Sequence, residues 1–270
     1  MDADILLYKI GFASQSSVYH VWFEGHEGDP LIFTDKRELN KFCKGLDYEY
    51  HKFIIPEPFI SCKLTVDKAI ESFKEKFKTK DIRLFLTGKG NFREEIATIL
   101  PYKGNRDSSS KPVHYEAIKT YLINRYKAEV QEGQEADDAL GIEQYSYQSK
   151  GKLSVIVTID KDLDMITGWH YNPDKDKLYE INYLEGMRWF YKQCLMGDSV
   201  DNIPGIKGIG KVKAGKLIDP LDDVVDMYRT VLDKYEDVYL CPEDALQQVG
   251  QLLWMRTKPD EMWEPYANKD

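Results

Sequence analysis

Apolar and polar positions follow two rhythms along this chain. ADILLYKIGFA, beginning at the third residue, is short, apolar and ends in small residues, which predicts a buried strand. VYHVWFEG and PLIFTD alternate and predict two strands, a hairpin across the turn at 25–30. TVDKAIESFKEKFK places apolar residues at helical spacing behind a threonine or aspartate cap, predicting an amphipathic helix. DIRLFLTGKG reads as a strand entering a glycine loop, and KPVHYEAIKTYLINRYK as a second helix with Pro112 near its first turn. EADDALGIEQYSYQ predicts a third helix, and GKLSVIVTIDKDLDMIT a strand that ends in acids. Strands alternating with helices predict an α/β fold with a mostly parallel sheet. After about residue 190 the pattern turns helical with glycine breaks. RDSSSKP (106–112) reads as a flexible connection, and neither repeats nor low-complexity tracts occur.

Composition narrows this picture only a little. The 270 residues, 42% hydrophobic and 31% charged, suit one large domain or a domain with a smaller appendage. No apolar run approaches the roughly 18–20 residues of a membrane span. The first residues lack the basic region and small-residue cleavage site of a signal peptide. Cys43, Cys62, Cys194 and Cys241 are scattered without a C-x-x-C pair, which argues against zinc or a disulfide framework and for a reducing cytoplasm. A net charge of −9 would oppose nucleic acid only if it were evenly spread. Clustered acids can instead hold divalent cations that invert the local field, and lysines elsewhere can form a phosphate-binding face.

The acids are indeed clustered. Glu135, Asp137 and Asp138 open a helix, where acids ordinarily serve the macrodipole. Asp160 and Asp162 follow the apolar run 153–159, at the carboxyl end of a strand where open α/β sheets place ligands. An EF-hand is excluded, because Met165 and Tyr171 stand where that loop needs glycine and glutamate. Asp198 and Asp201 would share one face of a helix, and Asp2 and Asp4 lie at the start. Each group alone has a bland explanation. Together these nine carboxylates could converge only around cations, because packed carboxylates raise one another's pKa. Mg²⁺ binds through a few carboxylates, and two such ions can activate water and stabilise a leaving oxygen in phosphodiester cleavage.

GIKGIGKVKAGKLI nearly matches a phosphate loop at Gly205, Gly210 and Lys211. Val212 fills the hydroxyl position, however, and a helical pattern precedes it, so a nucleotide-binding loop is rejected. A helix–hairpin–helix turn fits better: glycines admit a phosphate, a helix N-terminus offers N–H groups, and Lys207, Lys211, Lys213 and Lys216 add sequence-independent attraction. The competing reading is a solvated lysine helix behind a glycine turn.

In this order, MDADILLY, GKGNFREEIATILPYKGNRD, EADDALG, TIDKDLDMI and MGDSVDNIPGIKGIGKVKAGKL resemble the 5′ nucleases of bacteriophages, relatives of flap endonucleases and of the 5′-nuclease domains of bacterial DNA polymerases. QLLWMRTKPDEMW is similar to the phage branch, and residues 13–80 carry the resemblance least. The resemblance implies a PIN-like three-layer core over 1–190 with a small arch near 89–112, and a helical helix–hairpin–helix region over 191–270. It implies two Mg²⁺ sites, with Mn²⁺ as substitute. Glu135, Asp137, Asp138 and Asp160, with Asp2 or Asp4, match the tighter site, and Asp162, Asp198 and Asp201 match the second. Lys103 and Arg106 match catalytic cations at the arch base. Lys89, Arg93, Lys207, Gly208, Gly210, Lys211 and Lys213 are the implied DNA contacts, with K⁺ on the hairpin carbonyls. The implied activity is 5′→3′ exonuclease or flap endonuclease cleavage of DNA with a 5′ end or flap, with RNA–DNA hybrid as a further substrate. The implied state is a monomer away from membranes, in a host-cell cytoplasm. Two departures set up a contrary expectation, a binding protein with weakened catalysis. Gly88 stands where many relatives carry aspartate, and Asp2 follows Met1 with no strand before it. The latter predicts a frayed Asp2 and a reading frame continuing upstream through apolar residues.

Overall fold

The computed structural model describes residues 1–24, 28–105 and 111–265. In chain order the elements are α1 (Asp4–Ala13), β1 (Gln15–Phe23), β2 (Leu31–Phe33), α2 (Lys36–Phe42), β3 (Tyr48–Pro56), α3 (Phe59–Phe77), β4 (Phe85–Thr87), α4 (Phe92–Ile96) and α5 (Tyr115–Tyr126). They continue with β5 (Glu129–Gln131), α6 (Ala136–Ser149), β6 (Val155–Val157), a 3-10 helix (Lys161–Met165), β7 (Gly168–Asn172), β8 (Lys177–Ile181), α7 (Tyr183–Met196), α8 (Lys211–Ile218), α9 (Val224–Glu236) and α10 (Pro242–Leu253).

Two compact units divide the chain. One takes Met1–Asp4, Arg83–Ser108 and Ala128–Asp270, the other Ile5–Ile82 and Ser109–Lys127. This division differs from the expected one at residue 190, since 191–265 pack in one unit with 128–190.

In the first unit β4 pairs in parallel with β5, β6 in parallel with β7, and β8 antiparallel with β7. Residues 1–3 join these pieces. Asp2 N donates to the Val157 carbonyl at 3.0 Å, Ala3 N to Phe85 O at 2.9 Å, and Phe85 N to Met1 O at 3.1 Å. Asp2 is therefore buried in mid-sheet, and the expected fraying is wrong. The strand expected over 3–13 is also corrected: it is only a bridge at Asp2, and the apolar run after it is helix α1. Asp2 Oδ1 accepts from Asp4 N at 3.0 Å, starting the helical turn, and Leu6, Leu7 and Ile10 recur at the helical period. The core behind the sheet comes from α7–α10, with Phe190, Leu195, Ala214, Met227, Val231 and Leu246 among its buried side chains.

The second unit holds an antiparallel sheet, order β2-β1-β3, pairing Tyr19 with Phe33 and Lys52. The predicted hairpin is thus present, although 25–27 of its turn lie outside the described residues. The third strand was not read from the sequence. α3 starts at Phe59 behind Pro58, six residues before the expected threonine, so Thr65 and Asp67 are interior residues and not caps.

Candidate active site

The carboxyl ends of the parallel strands carry the acids, where open α/β sheets place ligands. Thr158, just past β6, donates its hydroxyl to Asp2 Oδ2 at 3.4 Å and accepts from Asp160 N at 3.0 Å. Asp160 then accepts from Asp162 N at 2.8 Å, opening the 3-10 helix that presents both acids. Asp4 accepts from Thr87 N at the end of β4 at 3.2 Å, and Thr87 Oγ1 accepts from Ala136 N at 3.1 Å, docking the start of α6 on the same edge. After α7, Asp198 and Ile203 exchange backbone bonds of 2.9 and 2.7 Å, and Asp198 Oδ1 accepts from Val200 N at 2.6 Å. That closed loop carries Asp201.

These acids feel one another. Burial first, then the charge of Asp4, pushes Asp2 up to about 7. Burial, then Asp160 and Asp198, also pushes Asp162 up to about 7. Asp137 is raised well above the ordinary carboxylate range by burial and by Asp2, Asp160 and Glu135. Asp160 is raised by burial, with Asp201 and Asp198 adding to it and the bond from Asp162 N opposing it. Carboxylates this crowded need positive charge. Lys103 supplies some of it: its Nζ bonds Glu135 Oε1 and lies 3.6 Å from Asp201 Oδ2. Its backbone is left-handed (φ 54°), uncommon outside glycine, and its N–H donates to Asp201 O at 2.8 Å. Among the described residues no three side chains already converge as a finished metal-ligand set. The donor chemistry nonetheless fits a hard divalent cation: oxygens from separate segments, without cysteine or histidine.

Two assignments fail. Asp138 does not face this cluster. Both of its oxygens accept from Arg93, at 2.7 and 2.9 Å, with each side chain 0% exposed. It also accepts from Glu135 N and Arg256 N, both at 3.2 Å. Arg93, expected on DNA, is likewise sealed in, donating also to Leu252 O at 2.9 Å and Trp254 O at 2.7 Å. Burial opposes its charge, but the Asp138 bonds outweigh that and hold its pKa above the ordinary guanidinium value. Arg106 lies outside the described residues. Lys89, Lys207, Lys211 and Lys213 are exposed. Gly208 has φ +82°, and Gly210 caps the N-terminus of α8.

Gly88 is explained by backbone contact. A Cβ there would lie 2.4 Å from Gln131 O, so β4 and β5 could not pair with a side chain at this point. The sequence reading missed Tyr102, whose buried hydroxyl lies 2.8 Å from Asp201 Oδ2 and 3.1 Å from Glu135 Oε2, linking the two acid groups. Its place directly before Lys103 was the available signal. Gln193, which donates to Asp162 Oδ1 at 2.7 Å from inside α7, gave none.

No protein-family model matches the chain. Over 168 residues, 54% of the chain, it is 30% identical to DNA polymerase I of Bacillus subtilis (strain 168), of which the match spans 18%. Over 164 residues it is 28% identical to a 5′-3′ exonuclease of Buchnera aphidicola subsp. Schizaphis graminum, spanning 56% of each chain. Among solved structures, a bacteriophage T5 flap endonuclease in a complex with DNA and metal ions matches with TM-score 0.54 and 18% identity, over 73% of this chain and 81% of that one. A T5 protein co-crystallised with metal ions matches with TM-score 0.53. The motif resemblance is thus met by curated relatives with those names and by an α/β fold like that of the phage proteins.

Proposed function

We propose that the chain is a divalent-metal-dependent 5′→3′ exonuclease and flap endonuclease acting on DNA. The observation that carries this is the electrostatic coupling of Asp2, Glu135, Asp137, Asp160, Asp162, Asp198 and Asp201, with Lys103 against Glu135 and Asp201, on a fold shared with a phage flap endonuclease. Asp2, Glu135, Asp137 and Asp160 would hold one Mg²⁺, and Asp162, Asp198 and Asp201 a second, with Mn²⁺ able to replace either. Bound there, the ions supply an acidified water and neutralise charge on the departing oxygen. Lys103 directs positive charge at the scissile phosphate, as does Arg106. Tyr102 and Gln193 fix carboxylate orientation. Lys89, Lys207, Lys211 and Lys213 contact the duplex backbone, with Gly208 and Gly210 admitting a phosphate, and the turn's carbonyls would hold K⁺. The protein acts as a monomer in a host cytoplasm, on DNA and on RNA–DNA hybrid.

The reading of a weakened, merely binding protein loses one of its two supports, because Asp2 is held in mid-sheet, while Gly88 leaves no room for the carboxylate that many relatives carry there. Many acids would also repel phosphates to no purpose in a binder. The test is digestion of 5′-labelled duplex and flap DNA with Mg²⁺, beside EDTA and Asp137→Ala controls. Products released from the 5′ end only with metal and intact Asp137 support the proposal, and their absence from every substrate overturns it.

A further inference from the structure

The β2-β1-β3 sheet has two unlike faces. On one, Tyr19 and Val21 are buried with Leu39 and Cys43 under α2, which gives the sheet its core. On the other, the register brings His20 opposite His51 and Val18 opposite Phe53, with Trp22 beside them. These side chains are half-buried or exposed: Phe53 is 47% exposed, as is 63% of Ile32, which β2 places opposite His20. The rings touch without stacking flat. His20 and Phe53 lie 4.7 Å apart at 54°, and Trp22 and His51 lie 5.3 Å apart at 71°, while His51 and Phe53 remain exposed to solvent. The unit's charge points to an anionic partner. Ile5–Ile82 and Ser109–Lys127 hold 16 Lys and Arg against 13 Asp and Glu, while the remainder of the chain holds 21 against 33. Glu49, opposite Trp22, is an acid on the face itself.

We propose that this face binds single-stranded DNA by stacking unpaired bases on Trp22, His20, His51 and Phe53. Every base has a π-face, so such a platform holds a strand without reading its sequence. Basic side chains elsewhere in the unit supply attraction for the phosphates. The proposal rests on the nuclease reading for its biological setting, since a flap presents unpaired bases, but it is tested separately from it. A second copy of the chain is a poorer occupant, because two copies of this face would bring two Glu49 carboxylates into one contact, and interface cores are depleted of acids.

The full chain in EDTA is titrated into a fluorescein-labelled oligothymidylate of about a dozen nucleotides. The expected result is binding that weakens about tenfold or more in Phe53→Ala with His51→Ala, both exposed positions that leave the melting temperature unchanged. Trp22→Ala should weaken binding similarly. If it melts lower, the exposed pair alone decides. Unchanged affinity in the exposed pair, no binding by the parent chain, or a dimer in sedimentation that the same pair abolishes each overturns the platform. Oligothymidylate binding lost with Phe53 and His51, in a protein that cleaves no DNA with Mg²⁺, upholds the platform and overturns the nuclease reading.

Discussion

Asp137 and Asp138 are neighbours in the first turn of α6, yet they lie in opposite electrostatic worlds. Asp138 meets a guanidinium with both oxygens and two backbone N–H groups besides, a fully paired buried carboxylate. Asp137 faces Asp2, Asp160 and Glu135, and its pKa is driven up. A single step along the helix thus divides a finished ion pair from a carboxylate that still wants a cation. A buried acid signals function only where its partner is missing, and the partner is visible only in three dimensions.

The sharpest break of this contrast is Asp137→Asn or Asp160→Asn. Each should abolish cleavage while leaving duplex affinity equal or tighter, since a charge that repels phosphate goes with the ligand. A Mg²⁺ cleavage assay beside fluorescence anisotropy in Ca²⁺ checks both. Stability should move the other way from intuition. A carboxylate whose folded pKa is raised costs stability above its unfolded pKa, so without metal at neutral pH Asp137→Asn should melt at the same temperature or higher.

Arg93→Ala comes next. It strands Asp138 in the core and should cost about 3–5 kcal/mol, read by urea denaturation. A loss below about 1 kcal/mol would mean that water replaces the guanidinium. Lys103→Ala should lower turnover about 10²–10³-fold with little change in affinity, as expected for a charge aimed at the transition state. Equal losses in both would reduce Lys103 to a grip. The smallest effect belongs to Lys211→Ala with Lys213→Ala, which should lower the salt slope of duplex binding by about one to two units. An unaltered slope would return these lysines to bulk solvent.

Much of the site was legible because its acids sit at element boundaries that local sequence marks: a helix start at Glu135, a strand end at Asp160, a closed loop at Asp198. What could not be read depended on distant partners. Arg93 and Asp138 are 45 residues apart, and nothing local distinguishes Asp138 from Asp137. The run after Asp2 misled because an apolar segment of that length fits a strand or a buried helix equally well. β3 and β7–β8 escaped notice for a related reason, since β3 is almost wholly exposed or half-exposed and β7 buries two adjacent residues, so neither shows a clean alternation.

The loop that carries Asp198 and Asp201 has one more property. A Cβ on Gly205 would lie 2.1 Å from the Met196 carbonyl carbon, and Ile206 N donates to Leu195 O at 2.8 Å. Main chain therefore rests on main chain where α7 ends and the turn leading to α8 begins, with no side chain between them to yield. A load on the lysine-bearing segment reaches both aspartates through peptide groups, as through a stiff lever. Softening that joint, for example by lengthening the loop at Ser199, would uncouple the two ends mechanically while leaving every charged group in the chain.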